Sequence, residues 1–232
     1  MKKSPKKRIA MAAIAIAAAM WCFSGRSDSW LRSRVVKISS PMGMCSGEQV
    51  RAPSGVDYIL TAGHCKGLAP DDIATVTDAE GHTIDRMVIA EDPNQDLLLI
   101  QGLPNMHGLD IASGFSFAEH VRTFTHGHDM DTYETEGTVI EKKHLDIPVG
   151  EASDCPQEPK YRVVDFNTIL GPLPVCCLSV DEIATNAGII PGSSGGMVVN
   201  SSGELVGVAA ASDGYFGYFI SIYDVQKFLS GY

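Results

Sequence analysis

Pro191-Gly192-Ser193-Ser194-Gly195-Gly196 stands close to the C-terminal end of this 232-residue chain. A serine hydroxyl is a poor nucleophile until a base takes its proton and donors hold the oxyanion that its attack creates. Glycines at 192, 195 and 196 let the backbone turn tightly and bring N–H groups close to a carbonyl oxygen. The N–H groups of Gly192 and Ser194 are the candidate oxyanion donors. Taken alone, the run also reads as a Gly/Ser-rich surface turn, so its meaning depends on what lies upstream.

Upstream, Tyr58-Ile59-Leu60-Thr61-Ala62 reads as a buried strand that runs into Gly63-His64-Cys65. A base at the end of a rigid strand is held in register with its partners. Further on, Asp92-Pro93-Asn94-Gln95 is turn chemistry, and Asp96 opens the apolar run Leu97-Leu98-Leu99-Ile100. An acid buried there can accept the second ring N–H of His64, fixing its tautomer and stabilising the imidazolium. The candidate catalytic residues are therefore Ser194, His64 and Asp96.

These motifs resemble those of the trypsin/chymotrypsin superfamily of serine proteases. The stretch Ile183-Ala184-Thr185-Asn186-Ala187-Gly188-Ile189-Ile190-Pro191-Gly192-Ser193-Ser194-Gly195-Gly196 is closer still to the HtrA (DegP-like) branch. So are Gly203-Glu204-Leu205-Val206-Gly207-Val208 and Phe219-Ile220-Ser221-Ile222. The resemblance spans about residues 35–230. It implies a serine endopeptidase that acts on proteins or peptides without a cofactor, and a disulfide between Cys45 and Cys65. Such a bond adds about 3 kcal/mol. Departures are clear. Trypsin has an aspartate immediately before the nucleophile where this chain has Ser193, and no Ile-Val-Gly-Gly-like start is present. Activation by insertion of a new N-terminus is therefore not expected. The HtrA branch carries a PDZ domain after the protease, and none is expected here. The resemblance gives no account of the proline- and cysteine-bearing segment 141–181.

Short strands with turn signals between them point to an all-β fold. Expected strands are Arg34–Ser39, Gln49–Arg51, Tyr58–Ala62, Ile73–Asp78, Thr83–Ala90 and Leu97–Gln101. A second group follows at Val121–Thr125, Tyr133–Glu141, Arg162–Phe166, Gly196–Asn200, Leu205–Ala211 and Gly217–Ile222. Six and six fit two antiparallel β-barrels, over 34–110 and 111–232, with the site in the cleft between them. Only Asp224–Leu229 reads as helical in this part of the chain.

Residues 1–25 form a separate module. Lys2, Lys3, Lys6, Lys7 and Arg8 precede the apolar run Ile9 to Phe23, expected to be a hydrophobic helix, the pattern of a secretory signal. The run is shorter than the ~17–25 residues of a spanning helix. No clear Ala-x-Ala site follows it, so an uncleaved signal anchor stands beside a cleaved signal. Either way the remainder is exported, periplasmic or secreted, and meets the membrane only through this segment. The whole chain has a net charge of −10, and the body without those five cations is more acidic. That argues against nucleic acid and anionic membrane surfaces as partners. Six cysteines suit an oxidising compartment. Cys155 is expected to pair with Cys176 or Cys177, leaving an odd thiol that is buried or bridges to another molecule.

Where the resemblance places the specificity pocket, the chain has Gly188 and Ala209-Ala210-Ala211. No acid stands at 188 to favour Lys or Arg, and no histidine just before 209 to favour Glu. Small neutral walls favour cleavage after apolar residues. Tyr215, Phe216 and Tyr218 either narrow the pocket or pack elsewhere. His126-Gly127-His128, with His107, His120 and Asp129 in the same region, is a weak metal pattern, and no metal is expected. The competing reading from another class is a protease-fold binding protein without activity, and a weaker one is an esterase using the same residues.

Overall fold

The computed structural model describes residues 27–40, 43–65, 68–127, 132–157, 161–168 and 171–232. The basic and apolar segment 1–25 lies outside the described residues. Among them, no helix is long and apolar enough to cross a membrane.

The first barrel has six strands: β1 (Val35–Ser40), β2 (Gly43–Arg51), β3 (Asp57–Ala62), β4 (Ile73–Thr77), β5 (Thr83–Asp92) and β6 (Leu97–Gln101). They close in the order β1-β2-β3-β6-β5-β4, all antiparallel. The second sheet runs β13-β12-β11-β7-β8-β10-β9, and β10 also pairs with β13. Its strands are β7 (His120–His126), β8 (Thr132–Glu151), β9 (Tyr161–Thr168), β10 (Gly171–Thr185), β11 (Met197–Val199), β12 (Leu205–Ser212) and β13 (Gly217–Ser221). The β10–β13 pairing joins six of them into a second ring. The strand expected over Arg162–Phe166 is not a member of that ring. The sixth member is β10, which the sequence reading missed, and β9 hangs outside as an edge strand paired, among the described residues, only with β10.

Two short helices flank the barrels. α1 (Asp28–Arg32) was not expected. Ser27 caps it by accepting from the Trp30 N–H, with Asp28 in the first turn and Arg32 in the last. α2 (Ile222–Leu229) starts two residues earlier than expected because Ser221 accepts the Asp224 N–H as N-cap.

The apolar runs that read most clearly are strands buried on both faces. On β6, Leu98 and Ile100 pack with Val36, Ile38, Ile59 and Val88 inside the first barrel. The alternating Leu97 and Leu99 pack instead with Leu60, Phe124, Met197 and Val208 at the junction of the two barrels. On β11, Val198 faces the second barrel's interior with Val206, Ala209 and Phe219, while Met197 and Val199 face the junction. Period-two alternation between two apolar environments produces an unbroken apolar sequence. The junction fixes the barrels against each other, and the candidate site is carried on these strands.

Candidate active site

Asp96 ends the β5–β6 turn with φ 55, a left-handed conformation that Asp tolerates better than most side chains. It is 2 % exposed. The loop after β3 is tied to it by three bonds. The Gly63 N–H donates to the Asp96 carbonyl at 2.7 Å, the His64 N–H to Oδ1 at 2.7 Å, and His64 Nδ1 meets Oδ2 at 2.6 Å. Asp96 thus positions both the backbone and the ring of His64. With Nδ1–H directed at the carboxylate, Nε2 is left as an acceptor, and it lies 2.9 Å from Ser194 Oγ.

The serine is set by its own loop. Ser193 N–H donates to the Ile190 carbonyl at 2.9 Å, and Gly192 at the third position of that turn has φ 90. Pro191 followed by a glycine at positive φ is the signature of a type II turn, which fixes the direction of the Gly192 N–H. Neither that N–H nor the Ser194 N–H has an acceptor among the described residues. Ser193, where trypsin-like enzymes have an aspartate, is fully buried, and its hydroxyl is satisfied at 2.8 Å by Thr125. Gly195 has φ 84, and a Cβ there would stand 2.0 Å from Thr61 Oγ1 and 2.2 Å from the Ser46 carbonyl. Only glycine lets the loop lie this close to the first barrel.

Ala210 completes the serine's surroundings. On β12, Ala209 pairs with Phe219 and Ala211 with Tyr218, so Ala210 is a bulge. Bulges re-aim a strand locally, and this one sets the Ala210 carbonyl 2.9 Å from Ser194 Oγ, so the single hydroxyl proton has two acceptors in reach, this carbonyl and His64 Nε2.

Ser46 was not singled out by sequence reading and proves central. Its N–H donates to the Ser194 carbonyl at 2.8 Å. Its hydroxyl donates to the Gly192 carbonyl at 2.9 Å and accepts from the His126 N–H at 2.8 Å. Thr61 Oγ1 donates to its carbonyl at 2.7 Å. One residue of the first barrel therefore holds both ends of the Gly192–Ser194 segment. The signal for it was its place after Cys45, which bonds to Cys65 as the resemblance implied.

The expected pocket residues separate. Gly188 is exposed, and its carbonyl accepts from Thr135 Oγ1 at 2.7 Å. Ala210 meets Ser194 Oγ through its carbonyl, and the side chains of Ala210 and Ala211 pack with the junction cluster. Ala209 turns its side chain into the second barrel's interior, while its carbonyl accepts from the Gly195 N–H and its N–H donates to the Gly196 carbonyl, each at 2.7 Å. Tyr215 is 88 % exposed, whereas Tyr218 is buried and donates its hydroxyl to Asp213 Oδ2 at 2.6 Å. That bond, with the Phe216 and Tyr215 N–H groups, lowers the Asp213 carboxyl to about 2. Burial first, then the bond to Asp213, raises the Tyr218 phenol to about 12.

The histidines of the weak metal pattern have separate neighbours. His107 Nδ1 lies 3.0 Å from an Arg51 guanidinium nitrogen and His120 Nε2 3.5 Å from Glu136; His128 and Asp129 fall outside the described residues. Cys155 pairs with Cys176, and Cys177 is a buried free thiol whose burial raises its pKa.

Comparison with family models and with curated proteins finds no match to this chain. Solved structures do match. The Rv3671c protease of M. tuberculosis in its active form is 19% identical, with TM-score 0.63, over 87% of this chain and 82% of that one. Its inactive form gives TM-score 0.64 and 19% identity over 88% and 90%. The serine endoprotease from Yersinia pestis gives TM-score 0.60 and 17% identity, covering 89% of this chain and 66% of that one. The chain thus has the two-barrel fold of trypsin-like proteins, as its own topology indicates.

Proposed function

We propose that this chain is a serine endopeptidase whose nucleophile is Ser194. The observation that carries the reading is the chain of contacts from buried Asp96 through His64 to Ser194 Oγ, at 2.6 and 2.9 Å. In this reading His64 Nε2 takes the hydroxyl proton as Ser194 Oγ attacks a peptide carbonyl. Asp96 stabilises the imidazolium, and the N–H groups of Gly192 and Ser194 hold the oxyanion. The proton then passes from His64 to the leaving amine. The acyl group stays on Ser194 until water, activated by the same imidazole, releases it.

The proposed preference is for an apolar residue before the scissile bond. Gly188, Ala210 and Ala211 offer no charge. Asp213, the acid next along the chain, is already engaged by a phenol and two backbone N–H groups, which leaves it poorly placed to recruit Lys or Arg. The body is proposed to act after export, in keeping with the N-terminal pattern and two disulfides.

Labelling by a fluorophosphonate probe and hydrolysis of casein test the reading. Both are expected in the wild type and absent in Ser194→Ala, with a loss in turnover on the order of 10⁶-fold. A folded wild type that neither labels nor cleaves would identify a binding protein on a protease fold. A peptide library in which Arg or Glu dominates before the cleaved bond would overturn the preference.

A further inference from the structure

Beyond the second ring, β8 and β10 run on and carry β9 at their edge. The prolines of β10 fix which backbone groups of β9 face outward. Pro172 and Pro174 stand opposite Asn167 and Asp165. A proline has no N–H, so neither pair exchanges two N–H···O bonds. In an antiparallel ladder bonded and non-bonded pairs alternate. The bonded pairs are therefore Phe166–Leu173 and Val164–Val175, and the peptide N–H and C=O groups of Val163 and Asp165 turn away from β10. Among the described residues, no other strand pairs with β9 and no backbone bond takes up those groups.

The same prolines blunt the free side of β10. Their missing N–H groups would otherwise point outward there, since pairing with β8 begins only at Val175. β9 has no such device. It holds neither proline nor lysine, and its ladder with β10 runs from Tyr161 to Thr168 without a register shift. This hairpin closes one edge and leaves the other open to a strand.

We propose that β9 is a docking edge for an extended, unfolded stretch of polypeptide, which joins the sheet as one more strand and brings a protein substrate to the enzyme. Backbone hydrogen bonds supply the affinity, and the side chains set the composition. Val163 is exposed on one face and Phe166 on the other, so both faces of the added strand find apolar contact. Asp165 is exposed, and among the described residues no hydrogen bond or ion pair engages its carboxylate. A lysine or arginine opposite it is favoured. Arg162, the one cation of the strand, is already held by Asp146. The occupant is thus an extended segment that mixes apolar and basic residues. A second copy of this chain suits the edge poorly. It carries a net charge of −10, and self-pairing sets the odd-numbered positions 161–167 against one another, none of which is a cation.

The distance to the site sets the substrate class. From Val175 to Thr185, β10 advances about 33 Å, before the chain turns to the loop that carries Ser194. A segment held on β9 reaches Ser194 only by continuing, extended, for about ten residues or more. Docking then favours long unfolded chains over short peptides and over folded proteins. This consequence rests on the proposed role of Ser194; the docking itself does not.

The test is a binding titration on the full chain carrying Ser194→Ala, so that turnover plays no part. The probe is reduced, carboxamidomethylated lysozyme, a basic polypeptide held unfolded. Saturable binding is expected, and native lysozyme, folded and of similar charge, should bind about tenfold more weakly or worse. Val163→Pro combined with Asp165→Pro removes two outward N–H groups and spares the bonded pairs. It should weaken binding about tenfold. Absence of saturable binding overturns the proposal, and so does equal binding by the folded double variant. Equal binding of native lysozyme overturns it too, since charge alone then explains adsorption. A concentration-dependent dimer that the two prolines dissolve would assign β9 to self-pairing instead. Should the prolines prevent folding, hydrogen exchange decides: the unfolded probe should slow exchange at the Val163 and Asp165 amides, and unchanged exchange overturns the docking edge. Binding with these properties in a chain whose Ser194 form cleaves no casein would sink the protease reading and leave the docking edge standing.

Discussion

The first barrel closes from strands of five to ten residues, whereas the second carries β8 of 20 residues and β10 of 15, which run on beyond the ring and gather β9. At the junction, β6 and β11 are buried on both faces. In the overhang the strands are not: Val163, Phe166 and Leu173 are 50, 39 and 54 % exposed. What secures the overhang is polar and covalent. Arg162 Nε donates to Asp146 Oδ1 at 2.6 Å, Ser179 Oγ donates to the same oxygen, and Cys155–Cys176 clamps its base. The difference separates a region where packing dictates position to a fraction of an ångström from one where sheet pairing and a few bonds suffice.

The sharpest way to break that contrast is Gly195→Ala. The new Cβ meets backbone and a buried hydroxyl at close to 2 Å, in a left-handed conformation. Strain and overpacking together should cost about 2–5 kcal/mol. Denaturant unfolding should show that loss along with loss of fluorophosphonate labelling. Gly171, on the overhang, also has positive φ but nothing within 4 Å of its Cβ position. Gly171→Ala should cost only the conformational part, about 1 kcal/mol.

The two disulfides give a matched pair. Their sequence separations are 20 and 21, so loop closure assigns each about 3 kcal/mol. Their positions differ in consequence. Replacing Cys45 and Cys65 by alanine should lower stability and activity together, because the bond joins β2, which carries Ser46, to the His64 loop. Replacing Cys155 and Cys176 should lower the melting temperature by a comparable amount and leave peptide hydrolysis near wild type. Equal losses of activity would show that the overhang is coupled to the site.

Ser46→Ala should have a smaller effect than either. It removes a hydroxyl that bonds the Gly192 carbonyl and the His126 N–H, at about 1–3 kcal/mol. Expressed at the Gly192–Ser194 loop, which is proposed to hold the oxyanion, that is roughly a 10- to 100-fold fall in kcat, with KM little changed. Loss of stability without loss of kcat would mean that the loop holds its geometry unaided.

The same contrast explains what could be read from the chain. Leu97–Gln101 was read to the residue, because an unbroken apolar run has few alternatives. β10 was missed because Pro172, Pro174 and the Cys176-Cys177 pair break the pattern. The prolines are tolerated because β10 there has β9 on one side, while its pairing with β8 begins only at Val175; an edge position needs no second N–H. β2 was seen only at Gln49–Arg51. Its earlier half, Gly43-Met44-Cys45-Ser46-Gly47-Glu48, looks like a solvent-facing segment, yet Ser46 and Glu48 are fully buried between the barrels. The three candidate catalytic side chains were legible because the chemistry restricts their neighbours. Ser46, Glu48 and Glu182 were not, because a polar residue in a barrel junction leaves no periodic trace.

Glu48 turns that hidden feature into a pH test. Both of its oxygens are buried without a partner, and burial raises its pKa well above the ordinary carboxylate value. The folded protein thus holds this proton to a higher pH than the unfolded chain does. Its contribution is complete below the unfolded pKa of about 4.5 and declines as pH rises through the folded value. Glu182 has the same sign. Glu48→Gln, which cannot ionise, should therefore gain on wild type as pH rises, with the difference in melting temperature larger at pH 8.5 than at pH 5. A difference that is constant with pH would mean that Glu48 is ionised and compensated in the folded state.

The smallest expected effect is at the overhang's exposed apolar pair. Phe166 and Leu173 lie directly opposite each other on β9 and β10, and a cross-strand apolar pair contributes about 0.2–1 kcal/mol. Leu173→Ser should change stability by no more than that and leave hydrolysis untouched. At the junction Leu99 is fully buried, and Leu99→Ala should cost about 2–5 kcal/mol. The ratio of the two measures how unequally the molecule distributes its packing. A Leu173→Ser loss approaching that of Leu99→Ala would show that the overhang folds cooperatively with the barrels, and the distinction between a rigid junction and a lightly held extension would collapse.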